Sequence, residues 1–399
     1  MQCISHDAMK VLRVHNRYGR ISGEDITVDR ISELLVRHGH DVKCFAQCSA
    51  EISGVLGKAS AFFGGIYSFR SRELMRRLVQ HWQPDIVHVH NVFPLISPSV
   101  LGECRRAGVP VVMTVHNHRL VCPNGLQMVD GRVCERCLGG REYWCVVRNC
   151  EGSVCKSLGY ALRTYTARRF RLFQSNVTMY APLTEFHRSR LISQGVPSER
   201  IAVIPNMVPS VPEATPSTSG EYVAYIGRVS REKGIESLLA AAATIPDIPF
   251  KIAGAHHRMA DSIRSAPCNV HFLGHLGQSA LDGFYAGCRV VVLPSICYET
   301  FGLPLAEAGV RGRAVICSRI AGLGEIVEDG VTGVLFEPGN ADELSKKIRY
   351  LWDRPALCKR MGQAGRKKVL REYSPEKYYE RLIAVYEKAI ELGPPQANS

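Results

Sequence analysis

Short β-branched runs alternate with helical periods along the chain, and this alternation restricts the possible folds more than any other feature. Strand-like runs occur at residues 11–15, 42–45, 86–89 and 111–115, and residues 31–35 carry a helical period. Such an alternation predicts parallel sheets covered by helices. With 399 residues, the chain exceeds the size at which a single core stops growing. We therefore expect an α/β protein with two domains.

A proline-rich break divides the alternation into two series. Residues 205–220 contain four prolines among serines and threonines, a composition that resists packing. A second series of strands and helices starts at Tyr222, and an amphipathic helix is predicted at residues 375–392. The expected parts are a first domain (1–204), a linker (205–221), a second domain (222–374) and a terminal helix with its tail (375–399).

Two glutamates stand at a predicted loop-to-helix junction with seven residues between them. Residues 290–294 form a short β-branched run, which predicts a buried parallel strand. Glu299 then falls in the loop at the carboxyl edge of the sheet, and Glu307 in the first turn of a helix that starts after Pro304. Free N–H groups at a helix start suit phosphate, and carboxylates suit vicinal hydroxyls. The pattern indicates a site for a nucleoside diphosphate sugar, although an acidic turn that only complements the helix dipole has the same spacing.

The motifs on both sides of this junction resemble those of glycosyltransferase family 4. Residues 225–234 read Y-I-G-R-V-S-R-E-K-G, and residues 314–338 match the closing αβ region of that family. The resemblance covers most of residues 201–352. It implies the GT-B fold, with two Rossmann-like domains facing a cleft and a C-terminal helix that crosses back to the first domain.

The resemblance also implies roles for residues of the donor site. Arg228 and Lys233 would hold the diphosphate, as a planar fork beside a point charge; solvated surface charges are the alternative. Glu299 would orient the transferred sugar, and Glu307 would hold the ribose. Further expected donor contacts are Gly23, Gly227, Phe301, Gly302 and Leu303. The donor is expected to be a UDP- or GDP-linked sugar. Since no Asp-x-Asp motif occurs in the sequence, we expect no catalytic metal.

The first domain resembles a bacterial branch of the same family. Residues 9–16 are similar to its usual start, which makes residues 1–8 either a mis-called start or a short tail. Ser22 replaces the first glycine of a Gly-Gly-Glu-Asp loop, and we expect its side chain to crowd the diphosphate. Gly23, the second glycine of that loop, is kept.

Histidines cluster around the strand predicted at residues 111–115. The resemblance implies that His116 lies beside the reacting sugar, where it hydrogen-bonds a hydroxyl or polarises the acceptor; a satisfied core histidine is the alternative. His88 and His90 share a strand face, and together with His116 and His118 they have the chemistry of metal ligands. We favour a lining role in the cleft, because the chemistry of the family needs no metal.

Six of the 15 cysteines fall within residues 122–155. Cys134 and Cys137 form a two-residue knuckle, flanked by further cysteines at eleven and twelve intervening residues. Four thiolates can close a tetrahedral zinc site, and the same bacterial branch has cysteines at these positions. The predicted zinc ligands are Cys122, Cys134, Cys137 and Cys150, with Cys145 and Cys155 as spare candidates. An iron–sulfur cluster or simple buried thiols are the alternatives.

Basic residues are concentrated in the first domain of a chain whose formal net charge is +13. Arginines cluster on two amphipathic segments, near Arg76 and near Arg169. No apolar run reaches the ~18 residues that span a bilayer. With no signal peptide, we expect a cytoplasmic protein that rests on anionic lipid at the inner face of the cytoplasmic membrane. Ordinary solvated helix faces are the alternative.

These features, with the mechanism that the family resemblance implies, predict a retaining glycosyltransferase. It would move a sugar from a nucleotide diphosphate donor to a polysaccharide or lipid-linked saccharide acceptor bound by the first domain. A GT-B-like phosphorylase or epimerase is an alternative that the motifs do not exclude. A zinc-bearing nucleic-acid-binding protein would explain the charge and the cysteines but not the predicted donor-site residues, so we expect no nucleic acid partner.

Overall fold

The computed structural model describes residues 8–17, 22–51, 64–211, 220–255 and 263–396, together with Gly54 and Phe62. The chain divides into two compact units. The first comprises Met1–Leu126, Glu135–Pro205 and Tyr378–Ser399, and the second comprises Gln127–Cys134 and Asn206–Lys377.

The regular elements of the described residues follow in chain order. The strands are β1 (Lys10–Arg17), β2 (Asp41–Cys48), β3 (Ile86–Asn91), β4 (Val111–Val115), β5 (Met128–Val129), β6 (Arg132–Val133), β7 (Met179–Pro182), β8 (Tyr222–Ile226), β9 (Phe250–Ala253), β10 (Val270–Gly274), β11 (Cys288–Leu293), β12 (Ala314–Ser318) and β13 (Gly333–Phe336). The helices are α1 (Gly23–Arg37), α2 (Phe69–Trp82), α3 (Leu101–Arg106), α4 (Trp144–Val147), α5 (Val154–Arg169), α6 (Glu185–Ile192), α7 (Ile235–Ala243), α8 (Gln278–Gly287), α9 (Leu303–Val310), α10 (Leu323–Ile326), α11 (Ala341–Trp352), α12 (Pro355–Glu372) and α13 (Pro375–Leu392).

The first unit is built on a five-stranded sheet in the order β2-β1-β3-β4-β7, with every neighbouring pair parallel. β3 and β4 are buried along their whole length, as strands covered on both faces are. Val87, Val89 and Val111 are fully buried in its core. From Tyr378 onward α13 belongs to this unit, and the Tyr386 hydroxyl lies 2.7 Å from Nδ1 of His88 in β3.

The second unit is built on a six-stranded parallel sheet in the order β10-β9-β8-β11-β12-β13. The order reverses between β8 and β11, because the chain passes outward from β8 to β9 and β10 before it continues on the other side. In open α/β sheets, ligands bind outside the carboxyl ends of the strands at such a reversal. A ligand site is therefore expected at the loops that follow β8 and β11.

The predicted α/β architecture with parallel sheets is confirmed. The terminal helix, predicted at residues 375–392, has the observed bounds Pro375–Leu392. Residues 122–155 hold structure that was not predicted, namely the antiparallel hairpin β5–β6 and the short helix α4. The hairpin falls in Gln127–Cys134 and so groups with the second unit. Residues 1–7, and residues 212–219 of the predicted linker, lie outside the described residues.

Candidate active site

Gly234 brings the loops after β8 and β11 into contact. It follows the short helical turn Arg231–Lys233 and has a φ of 72°, in the left-handed region. A Cβ atom at Gly234 would lie 1.8 Å from the carbonyl oxygen of Pro294, so only glycine fits there. This close approach places Lys233 next to the loop that follows β11.

Lys233 and Glu299 form a salt bridge between these loops, with 2.6 Å between Nζ and Oε1. The exposed fractions of the two side chains are only 18% and 11%. Burial alone would lower the pKa of Lys233, but the Glu299 carboxylate raises it above its ordinary value. Burial alone would raise the pKa of Glu299, but Lys233 and the hydroxyl of Ser295, which donates to Glu299, hold it below its ordinary value. Both groups are therefore charged at neutral pH in a sheltered site.

Arg228 presents an exposed guanidinium near this pair. Its side chain is 58% exposed, and its Nη2 lies 3.3 Å from Oε1 of Glu232. The Arg228 carbonyl oxygen accepts a hydrogen bond from the Tyr225 hydroxyl at 2.6 Å, which fixes the backbone after β8. The positive charge of the Arg228 side chain is close enough to Glu299 to help lower the pKa of that carboxyl. A fixed backbone with an accessible guanidinium suits the binding of an anion.

Glu307 lies on α9, which begins at Leu303 and has Pro304 in its first turn. Its N-cap is Gly302, whose φ of 83° turns the chain. Because α9 starts before Pro304 and not after it, Glu307 lies just beyond the first turn, which corrects the prediction. The Tyr285 hydroxyl donates to Oε2 of Glu307 at 3.1 Å.

The side chain of Phe301 lies in the core. Its side chain is 2% exposed, and its ring packs edge-on against that of Tyr373 with 5.4 Å between centroids. A contact of Phe301 with a donor would therefore run through its backbone, and its role as a donor contact stays a prediction. Gly227 directly follows β8, and Leu303 is half-buried at the start of α9.

His116 lies at the carboxyl end of β4, in the first unit, and is half-buried. Its Nε2 atom lies 3.0 Å from Nδ1 of His90 in β3. Burial, with a smaller effect from His15, lowers the pKa of His116 to about 3, so the imidazole is neutral at physiological pH. A neutral imidazole can take part in hydrogen bonds but supplies no charge.

His88 and His90 do not have the lining role that the sequence suggested. They are only 1% and 2% exposed. Nε2 of His88 lies 2.7 Å from the Thr114 hydroxyl, and its Nδ1 lies 2.7 Å from the Tyr386 hydroxyl. His88 is therefore a core residue that links β3 to β4 and α13.

Ser22 and Gly23 lie at the start of α1. The Ser22 hydroxyl accepts the backbone N–H of Asp25, and the Asp25 carboxylate in turn accepts the backbone N–H of Ser22 at 3.0 Å. This reciprocal cap explains why serine can replace glycine at position 22, because the Ser22 hydroxyl stabilises the start of α1. Oδ1 of Asp25 also lies 2.8 Å from Nε2 of His15, which ties the cap to β1.

The four predicted zinc ligands fall in different units of the chain. Cys134 belongs to the second unit, whereas Cys122, Cys137 and Cys150 belong to the first. Cys145, which is 1% exposed, packs with Cys137 and Cys150 in a small buried cluster. Within the described ranges, no three His, Cys, Asp or Glu side chains are placed to hold a metal ion. The zinc site stays a prediction.

Sequence patterns missed the hydroxyls that hold the two acidic side chains. Tyr285 comes from α8, the helix before β11, and no motif spacing points to it. Ser295 lies four residues before Glu299 at the end of the strand predicted at residues 290–294. A hydroxyl at that position was a usable signal, because loops that follow parallel strands share one edge of the sheet.

Two family models match most of the chain. The model described as Glycosyltransferase Family 4 matches residues 21–210, and the model described as Glycosyl transferases group 1 matches residues 211–368. A glycogen synthase of Mycobacterium tuberculosis is 28% identical over 318 residues, covering 76% of this chain and 69% of that protein. The 2-deoxystreptamine glucosyltransferase of Streptomyces kanamyceticus is 23% identical and covers 79% of this chain and 80% of its own.

Solved structures share the fold over nearly the whole length. HepE of Anabaena, in complex with UDP and glucose, has a TM-score of 0.65 at 17% identity, covering 95% of this chain and 100% of that one. Sucrose-phosphate synthase of Thermosynechococcus elongatus has a TM-score of 0.71 at 18% identity, covering 96% and 99%. With both family models matched and both parallel sheets in place, the chain belongs to glycosyltransferase family 4 and is a glycosyltransferase with the GT-B fold.

Proposed function

We propose that this glycosyltransferase takes its sugar from a nucleoside diphosphate donor, UDP- or GDP-linked, and transfers it with retention of configuration. The observation that carries the proposal is the mostly buried salt bridge of Lys233 and Glu299 near the exposed Arg228, where the strand order reverses. Two cations and a carboxylate at one sheet edge match a diphosphate and the hydroxyls of a sugar. HepE, which shares the fold, has been solved with UDP and with UDP-glucose, and we extend that donor class to this chain.

Arg228 and Lys233 would bind the diphosphate in different ways. Arg228 reaches an anion without the loss of a buried contact, because its guanidinium is already exposed. Lys233 is held by Glu299 in the ligand-free chain, so a diphosphate would compete with that carboxylate. The competition would free Glu299 to accept hydrogen bonds from the sugar hydroxyls. Both cations would then neutralise the charge that grows on the leaving group.

The proposed reaction exchanges one bond at the anomeric carbon. The bond to the leaving diphosphate oxygen breaks, and a bond to the acceptor hydroxyl oxygen forms on the same face. The hydroxyl proton passes to an oxygen of the leaving diphosphate. Glu299 orients the sugar, while Glu307, held by the Tyr285 hydroxyl, binds the ribose. His116 contributes a hydrogen bond to the sugar but no charge, because its pKa is lowered to about 3.

A thermal-shift screen against UDP, GDP and ADP tests the donor class. A nucleotide at about 100 times its dissociation constant stabilises the protein by about 2.7 kcal/mol. We expect a shift with UDP or GDP that is reduced in Arg228→Ala. No shift with any nucleotide would overturn the proposal. Formation of a free sugar phosphate on addition of phosphate would point to a phosphorylase instead.

We also propose that the first unit rests on anionic lipid and there meets a lipid-linked saccharide or polysaccharide acceptor. Tyr67 and Phe170 line a surface pocket of about 360 Å³, and Phe69 and Phe170 are 76% and 65% exposed. The arginines that line the same pocket are Arg72, Arg105, Arg106 and Arg171. Glu103 pairs with two of them and so neutralises one charge. Exposed aromatic rings beside arginines suit the headgroup region of an anionic membrane.

Two further observations limit the membrane proposal to surface binding through part of the basic segment. Arg163, on the same helix as Arg169, is only 7% exposed, and its Cζ lies 4.1 Å from the centroid of the Phe93 ring, so it belongs to the interior. None of the helices in the described ranges combines the length and the apolar character that crossing a bilayer requires. The proposal therefore concerns binding at a membrane surface.

Vesicle sedimentation tests the lipid proposal. Attraction to anionic lipid is worth ~1 kcal/mol per basic residue near the surface and falls with salt. We expect Arg171→Glu to weaken pelleting with phosphatidylserine vesicles, whereas Arg37→Glu, the same charge change at an exposed residue of α1, should have a smaller effect. Equal pelleting with neutral and anionic vesicles, or none with either, would remove the membrane from the account.

A further inference from the structure

We propose that His90 is a positioning residue that fixes the tautomer of His116, so that His116 acts as a hydrogen-bond donor through Nδ1 and not as a general base. The inference rests on the proposed function, which places His116 beside the reacting sugar. It adds to the site a residue that touches no ligand itself. All the groups that carry it belong to the first unit.

The two imidazoles meet nitrogen to nitrogen. Nδ1 of His90 lies 3.0 Å from Nε2 of His116, with the ring planes inclined by 32°. Chiefly through burial, the pKa of each ring is lowered below its ordinary value, so each carries a single N–H. A hydrogen bond between two neutral imidazoles needs one N–H and one bare nitrogen. The direction of this bond therefore determines both tautomers.

The surroundings of His90 decide that direction. The residue is 2% exposed, and its Nε2 has no hydrogen-bond partner among the residues that the structure describes. The rings of His88 and His15 lie nearby, with centroids 4.1 Å and 6.2 Å away. A proton on this Nε2 would be a buried donor without an acceptor, which is rarer in proteins than an unused acceptor. His90 therefore carries its proton on Nδ1 and donates it to Nε2 of His116.

The neighbouring histidine cannot reverse this assignment. Nε2 of His88 lies 2.7 Å from the Thr114 hydroxyl, and its Nδ1 lies 2.7 Å from the Tyr386 hydroxyl. Both nitrogens of His88 are thus occupied, and neither is available to His90. His88 shares a strand and a buried environment with His90 but has no hydrogen bond to His116, which makes it a matched control position.

The hydrogen bond from His90 determines which nitrogen of His116 carries the proton. When Nε2 of His116 accepts from His90, the proton of His116 must lie on Nδ1. Nδ1 then meets any partner as a donor, and a hydroxyl oxygen of the sugar or the acceptor can accept from it. No lone pair of the ring is left to take the proton of the attacking hydroxyl. The proton must go elsewhere, as it does when the leaving diphosphate receives it.

Nitrogen NMR of the free protein with ¹⁵N-labelled histidine tests the tautomer without the need for activity. Signals of the two residues are assigned from their absence in His116→Gln and His90→Asn. We expect a protonated Nδ1 and an unprotonated Nε2 in His116. A protonated Nε2 in His116, or a doubly protonated ring at neutral pH, would overturn the assignment.

Variants of His90 test the positioning role. Asparagine places its amide nitrogen near the position of Nδ1, so His90→Asn should retain the tautomer and most of the turnover. His90→Leu removes the donor, and loss of alignment at a reacting group should lower kcat about 10- to 100-fold with a smaller change in KM. His88→Leu should reduce stability but leave the signals of His116 unchanged. If His90→Leu changes the tautomer but not kcat, the positioning role fails, although nucleotide-dependent transfer would still support the proposed function.

Discussion

Removal of Lys233 and removal of Arg228 should affect the stability of the protein differently. Lys233 and Glu299 are a mostly buried pair, so loss of Lys233 leaves the Glu299 carboxylate without its cation, which costs up to about 3–5 kcal/mol when the pair is fully buried. Arg228 pairs with Glu232 at 3.3 Å while 58% exposed, and surface pairs contribute only ~0–1 kcal/mol. Both cations serve the same proposed chemistry. Loss of Arg228 should therefore lower activity alone, whereas loss of Lys233 should lower both activity and stability.

We expect Arg228→Ala to lower turnover by about 100- to 1,000-fold with little change in stability, because it removes a charge that stabilises the leaving group. Lys233→Ala should lose similar activity and also unfold at lower urea concentration. Transfer assays and urea unfolding on the same preparations measure both effects. Arg319→Ala, which removes an arginine that pairs with Asp329 elsewhere in the second unit, is the control. A folded Arg228→Ala protein with wild-type turnover would defeat the assignment.

Secondary-structure elements were predictable where the signal is local. The terminal helix shows a clear amphipathic period, and its predicted range agrees with Pro375–Leu392. The Asp130–Gly131 pair, with φ values of 52° and 76°, is a recognisable hairpin turn, but the two-residue strands of β5 and β6 have no period that could reveal them. Local patterns therefore give the long elements and miss the short ones.

Contacts between distant elements could not be read from the sequence. Alternation places His88 and His90 on one face of β3, but it does not say what covers that face. The answer comes from Tyr386, 298 positions away along the chain, whose hydroxyl lies 2.7 Å from His88. In the same way, the spacing of the cysteines favoured Cys134 over Cys145, and only packing reveals that Cys145 joins Cys137 and Cys150.

The cysteine-rich segment gives a prediction at this scale. Cys145→Ser puts a hydroxyl into a buried cluster, and an unsatisfied buried polar group costs about 1–3 kcal/mol, so we expect this variant to unfold at lower temperature. Cys134→Ser replaces a half-buried predicted zinc ligand, so it should lower the zinc content by one atom per chain. Thermal unfolding and elemental analysis measure both outcomes. Unchanged zinc content in Cys134→Ser would remove Cys134 from the predicted ligands.

The whole molecule combines a formal net charge of +13 with histidines that are held neutral inside the first unit. The members of this set are His15, His88, His90, His116 and His187, and burial is the largest cause of the lowered pKa of each. The charged groups of the second unit behave differently, because the pKa of Lys233 is raised and that of Glu299 is lowered. The two units should therefore respond differently to acid.

We expect mild acid to destabilise the first unit before the second. The pKa of His88 falls from 6.5 to about 3 on folding, so between these values the unfolded state binds more protons and stability is lost as the pH falls. From pH 7.5 to pH 5, His88 alone should cost about 2 kcal/mol. Hydrogen exchange of peptides from β3 and β4, compared with peptides from β8 and β11 at both pH values, measures the difference. His88→Gln should reduce this pH dependence, and an equal loss in both units would contradict the buried, neutral histidines as its cause.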